Sequence, residues 1–135
     1  MIGGVLIILG LVAGGIGELA VRRRLRTFWQ RGCAGRLWKR EFPEASAREI
    51  REFLSVFVEA FGISQKHRLT FRPGDEVMEV YRAMKWAAMD NLELETFAME
   101  LKEKYRLRLE KLRSAGVKLG EVFREARAKV QARWL

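Results

Sequence analysis

The chain has 135 residues and a formal net charge of +9, with one cysteine and one histidine. Those counts exclude an intrachain disulfide and any zinc-ligand set. The excess charge is concentrated: Glu18 to Arg40 holds eight Lys/Arg against one acid, net +7, whereas Glu41 onward holds 18 against 16, net +2.

In chain order, the first element is an apolar run. Ile2 to Gly17 carries no charge, and the run continues to Val21 with Glu18 as its one interruption. About 20 helical residues cross the roughly 30 Å hydrocarbon core of a bilayer. The glycines at 3, 4, 10, 14, 15 and 17 suit a transmembrane helix better than a soluble core helix. Residues 1–21 are therefore read as a transmembrane anchor. All basic charge follows the run and no A-x-A pattern closes it. The expectation is an uncleaved single-pass membrane protein whose C-terminal domain is cytoplasmic. Glu18 lies near the interface, where it can pair with Arg22 at i+4. Gly10 and Gly14 have small-xxx-small spacing, which lets a second helix approach and makes homo- or hetero-oligomers an expected mode of assembly.

Residues 22–45 read as a basic juxtamembrane neck. Arg22, Arg23, Arg24 and Arg26 open it, and Phe28, Trp29, Leu37 and Trp38 are interleaved with the basic residues that follow. A cationic stretch with amphipathic aromatic rings fits a helix lying on anionic lipid headgroups. Gly32 and Gly35 are expected to interrupt it. A nucleic-acid-binding domain would carry its excess charge on the folded body, so the sequence reading assigns no nucleic-acid partner. Cys33 is read as a free thiol, with palmitoylation as the alternative.

Residues 46–135 read as a helical body large enough for one small core. Ser46-Ala-Arg-Glu49 has capping-box spacing, and Ile50, Phe53, Leu54, Phe57, Val58 and Phe61 follow at helical intervals up to Gly62. A polar connector runs from Ser64 to Gly74, then a second helix over Asp75–Ala88. A third, capped by Asp90 or Asn91, runs to Tyr105 with Leu94, Phe97 and Leu101 on one face. A last helix covers Glu121–Trp134. No segment alternates long enough to form a strand, so the fold class is all-α.

The order of these parts resembles the acyl carrier proteins over Glu49 to Ala126. Asp90-Asn91-Leu92 stands where that family has Asp-Ser-Leu, Glu93 to Tyr105 looks like its central acidic helix, and Val117 to Val122 looks like its turn into the last helix. The resemblance implies a small helical bundle that docks partners through the central helix, with Asp90, Leu92, Glu93 and Glu95 as docking residues. Asn91 occupies the attachment position, and its amide cannot form the phosphodiester that a serine hydroxyl forms. The body is also slightly basic, where the family is acidic. The expected function is accordingly a non-enzymatic, acyl-carrier-like adaptor at the inner membrane face, with no catalytic residues, metal or cofactor. Two other classes stay open: a non-covalent acyl-chain or lipid binder, and an accessory or immunity-type subunit of a membrane complex.

Overall fold

The computed structural model describes residues 23–84 and 92–132. The apolar run with Gly10 and Gly14, together with Arg22, Asp90 and Asn91, lies outside the described residues. Among the described residues no helix is long and apolar enough to cross a membrane. Their regular structure is helical, apart from one isolated antiparallel bridge between Glu76 and Lys118.

Residues 23–29 are helical (α1), and the chain then turns before α2 at Gly35–Glu41. Gly32 interrupts the helix as expected, whereas Gly35 opens the next one. The neck is not a stretch lying apart from the body. Ala34, Trp38, Phe42 and Ala45 are buried in the same core as the body's helices. The reason is the 100° helical step: Ala34, Trp38 and Phe42 recur at i+4, so they share one face of α2. The basic residues of α2 fall on other faces.

α3 spans Ala47–Ala60 and is the central post of the core. Its start is the capping box: Ser46 Oγ accepts from the Glu49 N–H at 3.1 Å, and the Glu49 carboxylate accepts from the Ser46 N–H at 3.2 Å. Two donors left open by the first turn are thereby satisfied. At the other end Gly62 takes φ +70°. That left-handed step lets the Ile63 N–H reach Val58 O at 2.8 Å and the Gly62 N–H reach Glu59 O at 3.1 Å, a Schellman closure. Between the caps, Phe53 and Phe57 meet rings from every side. Phe53 touches Trp38, Phe97, Tyr105 and Phe123, and Phe57 touches Phe61, Phe71 and Phe97. Edge-to-face aromatic pairs add roughly 0.5–1.5 kcal/mol each beyond their buried area.

The connector after α3 is ordered by a 3-10 segment, Gln65–Thr70, packed against α3. α4 covers Val77–Met84, two residues later at its start than the pattern suggests. Asp75 is engaged elsewhere and cannot join it. α5 covers Leu92–Tyr105 and α6 covers Leu119–Ala132, close to the expected helices. α5 stops because Arg106 enters the left-handed region at φ +53°. Leu107 and Leu112 then turn inward, with a second 3-10 segment at Glu110–Arg113.

Two features lock these pieces together. The segment before α4 pairs with the one before α6: Val77 N–H to Val117 O, Leu119 N–H to Asp75 O and Gly120 N–H to Pro73 O, all 2.9 Å. Glycine allows this close approach at position 120, since a Cβ would lie 3.0 Å from Pro73 O. The second feature is Asp75, the charged residue buried among the described residues. Arg31 grips its carboxylate with both terminal nitrogens, Nη1 to Oδ1 at 2.7 Å. Asp75 also accepts from the Arg72 N–H at 2.7 Å, and Arg31 Nη2 donates to Thr70 O at 3.0 Å.

Breaking one partner of a buried, hydrogen-bonded pair costs about 3–5 kcal/mol; Arg31 keeps some solvent contact, so Asp75→Asn is expected to cost about 3 kcal/mol in urea denaturation of the full chain in mild detergent. Arg31→Ala should cost a similar amount, and the double variant much less than the sum, because the two changes remove one interaction. Glu49 supplies a pH test. Burial raises its carboxyl pKa, but the Arg127 hydrogen bond and charge and the Ser46 bonds outweigh burial and leave it below the usual value. Its stabilising contribution is therefore complete above the ordinary glutamate pKa and is lost as pH falls through the lowered one. Arg127→Met should flatten that acid limb of the stability curve.

Candidate functional site on the outer face of α5

α5 separates its side chains unevenly. Leu94, Phe97 and Leu101 are buried. Leu92 and Met99 instead stand 58% and 54% exposed. A seven-residue spacing brings two positions to within about 20° on a helix, so these two apolar chains share one outward stripe directly opposite the core face. Thr96 and Glu103 share this face and Glu95 flanks it. The stripe is thus apolar at two points, carries Glu103, and has Glu95 and Lys102 together on one flank.

The acidic positions differ in availability. Glu95 is exposed and lies 3.6 Å from Arg113, an exposed pair of the kind worth about 0–1 kcal/mol. Such a pair yields readily to a new partner. Glu100 pairs with Lys104 at 3.5 Å. Glu93 is half-buried, and its Oε2 has no hydrogen-bond partner among the described residues. Its step of 100° from Leu92 puts it at the flank of the stripe. Of the docking residues read from the sequence, Leu92 and Glu95 lie together on the displayed face, Glu93 lies beside it, and Asp90 and the pseudo-attachment position Asn91 are outside the described residues. Met99 and Thr96 were missed; the i, i+7 relation of Met99 to Leu92 is the signal that finds Met99.

The residues read as membrane-surface contacts divide as well. Arg23, Arg24 and Arg26 are exposed. Trp38 is a correction: it is fully buried, and its indole Nε1 donates to Phe71 O at 2.9 Å. A ring so enclosed cannot reach lipid. The periodicity of α2 with Ala34 and Phe42 decides this, and the basic neighbours in sequence obscure it. Trp29 is half-buried and stacks on His67, with ring centroids 4.2 Å apart and planes within 4°. Burial, and then the charge of Lys66, hold the His67 imidazole below its usual pKa.

Tyr105 closes α5 at the far end from Leu92. Burial, then the carboxylates of Glu52 and Glu49, push its phenol up to about 12. The neutral hydroxyl is the form that the fold keeps.

No protein-family model, curated protein or solved structure matches this chain. The face itself generates a stability test. Leu92→Ser/Met99→Ser should change the unfolding free energy by no more than about 0.5 kcal/mol, as surface substitutions do. Leu94→Ala, two residues along the same helix from Leu92, should cost about 2–5 kcal/mol. Equal costs at the two faces would mean that the stripe packs against the protein's own interior.

Proposed function

We propose that this chain is a membrane-anchored, non-enzymatic docking protein. Residues 1–21 anchor it, the arginines that follow hold it to anionic headgroups, and the acyl-carrier-like body binds a partner protein through the outward face of α5. Single-pass topology with a cytoplasmic body follows from the charge order of the N-terminal segment. The observation that carries the docking role is the exposure of Leu92 and Met99 on one stripe beside Glu95. Apolar anchors with a polar margin are what a protein interface requires.

The absence of a hydroxyl at Asn91 separates this role from carrier chemistry. The aromatic packing around Phe53 and Phe57 supports docking over the enclosure of an acyl chain, since ring-to-ring contacts occupy the centre of the bundle. Nothing favours the subunit reading over the adaptor reading as specifically as the α5 face favours docking.

The test is affinity capture of the full chain from detergent-solubilised membranes of its host, followed by mass spectrometry. Leu92→Lys/Glu95→Lys/Met99→Lys should reduce capture of one specific protein at least tenfold while the helical circular dichroism stays unchanged. Retention of every partner would remove α5 from the interface. The intact mass of the purified chain should match the unmodified sequence; a phosphopantetheine adduct would overturn the non-carrier assignment.

A further inference from the structure

Leu37 is the third large apolar side chain that the described residues leave exposed, at 39%. It sits on α2, one helical step of about 100° from the buried Trp38. The helical step places Arg40 beside it, with Arg36 one turn before Arg40. Across a concavity of about 610 Å³, Leu37 and Arg40 face Arg72 and the Pro73-Gly74 turn. The Arg31–Asp75 pair forms part of the same wall, and Glu41 is the remaining acid.

Three of the positive charges here are uncommitted. Arg31 is neutralised by Asp75, and Lys39 donates to Ala45 O at 2.6 Å. Arg36, Arg40 and Arg72 have no acidic side chain within ion-pair distance among the described residues. The packing of Trp38 fixes the roll of α2, and the Arg31–Asp75 clamp fixes the 72–75 turn against it. A leucine ringed by guanidinium groups is therefore held in place and does not arise from a floppy surface.

We propose that this patch is a second membrane contact. Leu37 enters the bilayer interface while Arg36, Arg40 and Arg72 engage the phosphates of anionic lipids. The inference rests on the anchored reading, because the patch follows the apolar run by only a short helix and a turn, which keeps it near the bilayer. In sequence, Arg23, Arg24 and Arg26 lie between the apolar run and α2, and all three are exposed. Anionic lipid is the occupant that this chemistry selects: the leucine takes the apolar boundary and the guanidinium groups take phosphate oxygens in bidentate fashion. The patch orients the body and so determines which way α5 faces.

The experiment uses the full chain in a Cys33→Ser background, with Leu37→Cys carrying an environment-sensitive fluorophore, reconstituted into phosphatidylcholine vesicles with or without phosphatidylglycerol. Emission should shift to the blue on the anionic vesicles and stay water-like on the zwitterionic ones. Arg40→Glu/Arg72→Glu should lower the shifted fraction at least fivefold, about the weight of one basic residue at an anionic surface. A water-like probe on both vesicles, or a blue shift indifferent to lipid charge and to the reversals, overturns the proposal. Alkaline extraction of the same vesicles reports the anchor separately. A chain that resists alkali while its probe stays in water sinks the patch alone. A chain stripped by alkali sinks the anchored reading, and the patch with it.

Discussion

The bidentate grip of Arg31 on Asp75 is the contact on which the arrangement of this body depends. It joins the turn after α1 to a stretch about 40 residues later, from the end of the 3-10 segment at Thr70 to the loop before α4. The Asp75 main chain then receives the Leu119 N–H, which brings in the start of α6. A carboxylate in this position is tolerable only because its oxygens are met by a guanidinium and a backbone N–H. Arg31 itself is held from the other side by the Phe28 carbonyl and ring. Hydrophobic burial supplies most of the driving force for this bundle, but it is non-directional. The paired charges supply the register.

Around that clamp, α3 organises the interior. Its two ends are defined by local chemistry, the capping box at Ser46 and the left-handed glycine at position 62, so its length does not depend on its neighbours. Its Phe53 and Phe57 rings set where α2, α5 and α6 come to rest. The tie from Arg127 to Glu49 and Glu44 O fastens α6 across the start of α3. Once these contacts form, the neck becomes part of the body. That continuity matters to the proposed function, because a rigid link between the N-terminal segment and α5 transmits orientation in a way that a flexible linker does not.

The surface divides its work by chemistry. The positive charge of the chain is gathered near its N-terminal side, where Leu37 and the arginines face outward. The exposed apolar stripe on α5 is edged instead with both signs of charge, Glu93 on one flank and Glu95 and Lys102 on the other. In the proposed reading the two apolar features, with different charge around them, take two different occupants, a lipid surface and a protein. Scattered exposed leucines are ordinary on protein surfaces. What distinguishes Leu92 and Met99 is their alignment on one helical stripe.

Much of this was legible in the sequence, because it depends on residues close together in the chain. The all-α class follows from apolar spacing, the start of α3 from Ser46 and Glu49, its end from Gly62, and the buried face of α5 from Leu94, Phe97 and Leu101. Charge partition and the amide at Asn91 are likewise written in the sequence itself. Only the tertiary structure decided the rest. Trp38 reads as an interfacial ring until its neighbours at Ala34 and Phe42 are seen against Phe53 and Phe123. Asp75 reads as the first residue of a helix until Arg31, 44 positions earlier, closes on it. Arg106 stops α5 although nothing in its side chain signals a stop. Local order follows from backbone hydrogen bonds and periodicity over a few residues. Burial, charge pairing and the exposure of Leu37, Leu92 and Met99 depend on which surfaces meet, and that is determined only when the whole chain has packed.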